Sequence, residues 1–317
     1  MRFLVIFIIL TILLLGCSEK PEIEENRAFK IVDMSGREVE FIESPKKAVF
    51  LAGESWIYAL GIKEKVVAVS DNAKLNPIIL KIDPKISEFQ TVGDMNRINE
   101  EAIVSLNPDV IVVWDEPPGY KENAKKLERL GIPIVRIGYI NDYPEDICKQ
   151  AKLLGKIFNA EKRAEEICNS IEKRWKEISS KREERVEVIY SFTSPTYIAC
   201  YNNYALFIEA VGGKIVYPKE CNSTWIHVSK EWIVEENPQI WIISYFAKYD
   251  ENAILRDPAF SDVEAVKRNA VYKESFKPMQ FLEPYFLLTV LEYRSWIVGD
   301  VDMGREEEEL IRAIYYR

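Results

Sequence analysis

One segment of the chain occurs twice, and this repeat is the feature that most constrains the fold. It runs from Asn99 to Trp114 (NEEAIVSLNPDVIVVW) and again from Ser229 to Ser244 (SKEWIVEENPQIWIIS), at a constant offset of 130 residues. Each copy begins with a polar residue suited to cap a helix, has an acid in the first turn, and reaches Asn-Pro before an apolar strand. The repeat predicts two lobes of similar topology.

Short apolar runs alternate with helical segments on both sides of one long helical stretch. The predicted strands are 48–52, 66–70, 110–114 and 132–137 in the first half, and 186–192, 240–246 and 270–272 in the second. Apolar strands between helices indicate a parallel sheet covered on both faces. From about residue 160 to 182 the apolar positions fall three or four apart without Gly or Pro, which predicts one stiff rod.

We therefore predict an α/β fold of two lobes, each a mostly parallel sheet flanked by helices, joined by one long helix. One large doubly wound sheet is the alternative, but it leaves the long helix without a role. The predicted boundaries are a signal peptide at 1–16, a lipidated tether at 17–27, an N-terminal α/β lobe at 28–158, a bridging helix at 159–183 and a C-terminal α/β lobe at 184–317.

The N-terminus has the pattern of an export signal. An apolar run of 13 residues, 3–15, follows Arg2 and gives way to charge soon after Cys17. This run is shorter than the roughly 20 residues that a membrane-spanning helix needs, and it matches the apolar region of a secretory signal. The preceding Leu-Leu-Gly makes the site resemble a lipobox, so Cys17 is predicted to carry acyl chains such as palmitate and to become the new N-terminus.

Composition excludes several function classes. With 42 basic and 51 acidic residues the formal charge is −9, which argues against a nucleic-acid partner. One histidine, His227, and the absence of a Cys-x-x-Cys pair leave too few ligands for a dedicated zinc or manganese site. Export permits disulfides, and Cys200 with Cys221 is the preferred pair, buried free thiols being the alternative.

From about residue 28 onward the chain resembles the substrate-binding proteins of ABC importers for iron–siderophore, haem and cobalamin. The matching pieces include DMSGREV from Asp33, YALG from Tyr58, NPDVIV from Asn107, LGIPI from Leu130 and AVGG from Ala210. The resemblance implies a periplasmic-binding fold whose two lobes are linked by a rigid helix. It also implies a bound iron or cobalt complex rather than an intrinsic cofactor, and an ABC permease with its ATPase subunits as partners.

The resulting prediction is a non-enzymatic receptor, held by its lipid on the outer face of the cell membrane. It would deliver a ferric siderophore, haem or corrinoid to the permease. The alternative is an exported α/β hydrolytic enzyme that uses a carboxylate pair, for which the chain offers many acids but no diagnostic motif.

Ligands of open α/β sheets bind beyond the carboxyl ends of the strands, so the loops that follow strands are the candidate site. Large rings are frequent in these loops, which suits a bulky, partly aromatic chelate or macrocycle. The predicted ligand-binding residues are Trp56, Met95, Arg97, Trp114, Tyr139, Tyr197, Trp225, His227, Tyr245 and Lys277. His227 is the candidate for direct contact with a metal, helix capping being the alternative reading of that position.

Charged side chains suggest two further roles. The basic residues placed to meet an anionic ferric chelate are Arg97, Arg136, Lys248 and Lys277. The resemblance also implies a permease-docking glutamate early in the first helix of each lobe. Glu54 is the candidate in the first lobe, and the second lobe has no acid at the corresponding position.

Overall fold

The computed structural model describes residues 28–114, 118–138, 140–179, 185–275 and 282–316. The predicted signal peptide, the tether and Cys17 lie outside the described residues, as do the predicted site residues Tyr139 and Lys277. Within these ranges, no helix combines the length and the apolar character that crossing a membrane requires.

The N-terminal lobe follows the predicted alternation of strands and helices. Its elements are β1 (Phe29–Val32), β2 (Glu38–Phe41), β3 (Ala48–Phe50), α1 (Ser55–Ala59), β4 (Val66–Val69), α2 (Pro77–Ile82), α3 (Glu100–Leu106), β5 (Val110–Val113), α4 (Pro118–Leu127), β6 (Ile134–Arg136) and α5 (Glu145–Phe158). Strands β1 and β2 form an antiparallel hairpin, and the other four pair in parallel in the order β4-β3-β5-β6. Every residue of β3 and β5 is buried, as a sheet covered on both faces requires.

The predicted rod is present as α6 (Glu161–Ile178), which has 18 residues and therefore a length of about 27 Å. It packs along α5, and the side chains that it buries include Ala164, Ile167, Ile171 and Ile178.

The C-terminal lobe contains a mixed sheet. Its elements are β7 (Val186–Ser191), β8 (Tyr197–Ala199), α7 (Asn203–Ala210), β9 (Gly213–Ile215), β10 (Trp225–His227), α8 (Lys230–Glu236), β11 (Ile240–Ile243), α9 (Glu251–Leu255), α10 (Glu264–Lys267), β12 (Val271–Lys273), α11 (Leu287–Ile297) and α12 (Met303–Tyr315). The strand order is β10-β8-β7-β11-β12, with β9 also beside β7. Strands β7, β9, β11 and β12 are parallel, whereas β8 and β10 are antiparallel additions that the sequence pattern did not predict.

The structure confirms the internal repeat at atomic detail. Asn99 and Ser229 cap α3 and α8 by accepting a hydrogen bond from the backbone N–H three residues on, at 3.1 Å in each case. Both helices end at an asparagine, Asn107 or Asn237, with left-handed φ values of 47° and 50°. Each copy then enters a fully buried strand of its own sheet, β5 or β11.

The last helix, α12, contacts elements of both lobes. Helix α12 contacts α1 of the N-terminal lobe and the rod α6. Arg163 on α6 donates to the carbonyl oxygen of Ile314 at 2.6 Å, and Lys81 of the N-terminal lobe pairs with Glu307 at 2.9 Å. The end of the chain therefore packs against the first lobe and the rod as well as on α11.

The predicted disulfide is confirmed. Cys200 and Cys221 are bonded, with Cα atoms 6.3 Å apart, and the bond ties the start of α7 to the segment before β10. Cys148 and Cys168 are buried free thiols on α5 and α6.

Candidate functional site

A cavity of about 380 Å³ lies between the two lobes, a volume within the range of small-molecule pockets. The N-terminal lobe lines it mainly with residues that follow its strands, among them Leu51, Glu54, Ser70, Met95, Trp114 and Tyr120. The part of the chain after the rod contributes four lining residues. Tyr245 and Phe246 follow β11, and Glu283 and Tyr285 precede α11. The cavity therefore lies where the carboxyl ends of the strands in both lobes meet, as the topology predicts.

Two glycines shape the backbone just ahead of two acids of this cavity. Gly53 and Gly93 have left-handed φ values of 68° and 87°, which residues with a Cβ rarely adopt. A Cβ on Gly53 would collide with a neighbouring side chain, and one on Gly93 with the backbone. These turns place Glu54 and Asp94 at the cavity wall.

Aromatic rings face the cavity from both sides. Trp114 and Tyr120 contribute from the first lobe, where the Trp114 side chain is buried. Tyr245 and Phe246 contribute from the second lobe and are 38% and 47% exposed. Three of the predicted residues, Met95, Trp114 and Tyr245, thus line the same cavity. Their contact with a ligand stays a prediction.

Trp56 does not belong to the site. It is fully buried, and its indole Nε1 donates to the side-chain oxygen of Gln150 on α5 at 3.0 Å. The structure therefore does not place Trp56 on the cavity wall, because the first turn of α1 directs this ring into the core of the lobe.

Tyr197, Trp225 and His227 lie on β8 and β10 rather than on the cavity wall. Tyr197 stacks on His227 with ring centroids 4.4 Å apart, and Trp225 stacks on Phe192 at 4.5 Å. Phe192 in turn meets Phe246 edge-on at 5.7 Å. These rings therefore form a stack that leads away from the cavity rim. His227 is exposed and does not line the cavity, so its contact with a metal stays a prediction.

Three of the four basic residues predicted to meet an anionic chelate lie elsewhere, and the fourth, Lys277, lies outside the described residues. Arg97 and Lys248 are exposed and do not line the cavity. Arg136 is buried on β6, where it pairs with Glu128 at 2.6 Å. Among the described residues, no lysine, arginine or histidine lines the cavity, and no group of three or more His, Cys, Asp or Glu side chains is arranged to hold a metal ion.

Acidic side chains occupy the cavity instead. Glu54 is 7% exposed and accepts a hydrogen bond from the Ser70 hydroxyl, while Glu283 is 4% exposed and accepts one from the Ser55 hydroxyl. Burial raises the pKa of Glu54, and burial together with the nearby charge of Glu54 raises the pKa of Glu283 well above its ordinary value. Glu54 is thus buried at the cavity wall, and its predicted role in docking a permease stays a prediction.

Several lining residues were not predicted, among them Ser70, Asn76, Glu283 and Tyr285. The first two follow β4, so the rule that loops after strands form the site could have found them. Glu283 and Tyr285 precede a helix and carry no such signal. They reach the first lobe through long-range hydrogen bonds, Ser55 to Glu283 and Asn76 Nδ2 to the Tyr285 hydroxyl at 2.6 Å.

Comparisons with known proteins agree with this architecture. A family profile described as periplasmic binding protein matches residues 48–275. The uncharacterized ABC transporter substrate-binding lipoprotein YvrC of Bacillus subtilis strain 168 is 25% identical over 280 residues, covering 82% of this chain and 85% of YvrC. The iron(3+)-hydroxamate-binding protein FhuD of the same strain is 24% identical over 275 residues, covering 80% and 82%.

A solved structure shows the same fold. The crystal structure of a periplasmic solute binding protein from Veillonella parvula DSM 2008 superposes with a TM-score of 0.73 at 23% sequence identity. The match covers 92% of this chain and 94% of that one. The two-lobed arrangement is therefore shared over nearly the full length.

Proposed function

The chain belongs to the periplasmic binding protein family, and on that premise we propose that it is a lipid-anchored receptor for a metal chelate. In this proposal the ligand is a ferric siderophore, haem or corrinoid, bound in the cavity between the lobes and delivered to an ABC permease and its ATPase subunits. The coarser role, the solute-binding component of an ABC importer, is that of its relatives.

The observation that carries the proposal is the aromatic wall of the cavity. Trp114 and Tyr120 face it from one lobe and Tyr245 and Phe246 from the other. Rings supply broad apolar area with little conformational entropy to lose, which suits a large, rigid ligand more than a bare ion. The relative FhuD, which is described as binding iron(3+)-hydroxamate, supports the same class of ligand.

The proposal is tested by purifying the protein from its native source and analysing what it carries. We expect a bound compound of this class, identified by mass spectrometry and by the visible absorption that siderophore complexes, haem and corrinoids each show. A bound sugar, peptide or amino acid would contradict the proposal.

The lipid anchor is a separate part of the proposal, and it rests on Cys17 after an apolar run and on the lipoprotein description of YvrC. Two acyl chains on one residue give stable anchoring, because each buried CH₂ contributes about 0.8 kcal/mol. Cys17→Ser should move the protein from the membrane fraction to the soluble fraction, with Ser18→Ala as the matched control. If the Cys17→Ser variant remains membrane-bound, the anchor proposal fails.

The alternative of a hydrolytic enzyme gains no support from the comparisons, because the matched relatives are transport proteins. The cavity does hold two neighbouring carboxyl groups, Glu54 and Glu283. Their presence poses a different question, namely which ligand a cleft lined by buried carboxyl groups selects.

A further inference from the structure

Glu54 and Glu283 come from distant parts of the chain and meet at the cavity. Glu54 follows β3 in the first lobe and precedes α1, whereas Glu283 lies just before α11 in the chain that returns from the second lobe. The serine after Glu54, Ser55, donates its hydroxyl proton to Glu283, so the two carboxyl groups are neighbours. Both line the cavity while being more than nine-tenths buried.

The surroundings of this pair contain no compensating positive charge among the described residues. Glu54 faces the Ser70 hydroxyl, and Glu283 faces Ser55 and interacts with the hydroxyl groups of Tyr285 and Tyr315. Among the described residues, Asp94 is the third acidic residue that lines the cavity. Buried carboxyl groups without a nearby cation are costly to ionise, and a ligand that supplies positive charge would lower that cost.

We infer that the cleft selects a ligand with a cationic group, which sits between Glu54 and Glu283 while the rings of Trp114 and Tyr245 contact its apolar body. This inference rests on the proposed function and names the charge class of its ligand. A protonated amine or a metal complex of net positive charge has the required chemistry. The rings favour the same charge, since aromatic faces attract cations. An anionic ferric chelate would meet two buried acids and is disfavoured.

The inference also predicts how affinity responds to pH. A cation binds best when the two carboxyl groups are ionised, and burial raises the pKa of both groups, which favours their protonated forms. Binding a cation must then release protons, so affinity for a cationic ligand should increase as the pH rises. The affinity for a neutral analogue should change less over the same range.

The test uses two pairs of probes that differ in charge. The first pair is a linear ferric trihydroxamate with a free terminal ammonium group and the same complex with that amine acetylated. The second is a corrinoid without its nucleotide loop, which keeps the positive charge of its metal centre, and the complete neutral corrinoid. Ferric citrate serves as the anionic probe, and quenching of tryptophan fluorescence reports binding.

One of the two probe pairs should fit the cavity. Within that pair we expect the cationic member to bind on the order of ten- to hundredfold more tightly than the neutral member, as charge-assisted hydrogen bonds imply. Glu54→Gln and Glu283→Gln should reduce that preference to within about threefold. Glu165→Gln removes one charge from an exposed position of the rod and is the matched control, which should keep the wild-type preference. Titration of the wild type from pH 5 to pH 8 gives a second readout that needs no variant.

Equal binding of both members of a pair, or tighter binding of ferric citrate, would overturn the inference and leave the proposed function intact. A preference that survives in both glutamine variants would overturn it as well. If no probe binds and no metal complex is recovered from the native source, the proposed function fails, and the inference fails with it.

Discussion

The two lobes share a structural unit but complete it differently at the cleft. In the first lobe three of the four parallel strands, β3, β4 and β5, end in loops that provide Leu51, Glu54, Ser70 and Trp114 to the cavity. The second lobe adds two antiparallel strands and a disulfide at its sheet edge, and it presents the rings of Tyr245 and Phe246. The first lobe therefore contributes most of the polar residues that line the cavity, and the second lobe contributes two aromatic rings.

The difference extends to what supports each wall. Behind Tyr245 lies the buried carboxyl group of Glu274, which accepts hydrogen bonds from the Tyr245 backbone N–H at 3.0 Å, the Tyr190 hydroxyl at 2.8 Å and the Tyr293 hydroxyl. Trp114 instead directly follows the fully buried strand β5. The same topology can thus hold a binding loop either by apolar packing or by a buried acid, and only the second arrangement is sensitive to pH.

The strongest test of the comparison asks whether the lobes are one folding unit. Trp56 and Trp241 are fully buried in the first and second lobes. Trp56→Ala and Trp241→Ala should each lower the free energy of unfolding by about 3–5 kcal/mol, the usual cost of removing a large core side chain. Because α6 and α12 connect the lobes, urea unfolding followed by circular dichroism should show one transition in both variants.

Trp232→Ala is the control for those variants, since this ring is only partly buried and its loss should cost less. Two separated transitions in either core variant would show that the lobes unfold independently. That result would contradict the expectation that the two lobes form one folding unit.

A second test concerns the buried acid of the second lobe. Burial raises the pKa of Glu274 from an ordinary value of 4.5 to about 7. The folded state therefore favours the protonated form, so this contribution to stability is complete below about pH 4.5 and is lost as the pH rises through 7. Between pH 5 and pH 8 the loss should be on the order of 2 kcal/mol, measured by urea unfolding.

Glu274→Gln should flatten this dependence, whereas Glu165→Gln on the rod should leave it unchanged. The slope should not vanish, because burial also raises the pKa of Glu292 to about 7. A wild-type protein that gains stability from pH 5 to pH 8 would contradict the assignment.

The smallest expected effect compares one ring from each wall. Trp114→Ala and Tyr245→Ala should each weaken binding of the ferric trihydroxamate or corrinoid probe by about 1–2 kcal/mol, roughly five- to thirtyfold. Isothermal titration calorimetry measures both variants without relying on tryptophan fluorescence. Tyr201→Ala removes a ring that is 55% exposed and outside the cavity, and it should bind as the wild type does. If only one of the two cavity variants loses affinity, the ligand contacts a single lobe.

Local patterns were sufficient for the architecture and for part of the site. The repeat at Asn99 and Ser229 predicted paired helix–strand units, because capping, helix termination and strand burial depend on residues within a few positions of one another. The rule that ligands bind beyond strand ends selected Met95, Trp114 and Tyr245, which line the cavity. This rule too depends only on where a residue lies along the chain.

Tertiary packing decided the rest. Whether Trp56 faces the core or the cleft depends on Gln150, which lies 94 residues away, and the meeting of Ser55 with Glu283 joins residues 228 apart. The return of α12 to the first lobe likewise depends on contacts with α1 and α6. Periodicity reports which side of an element is apolar, but it carries no information on which distant segment will cover that side. The acidic character of the cleft therefore became visible only when both lobes and the returning chain were in place.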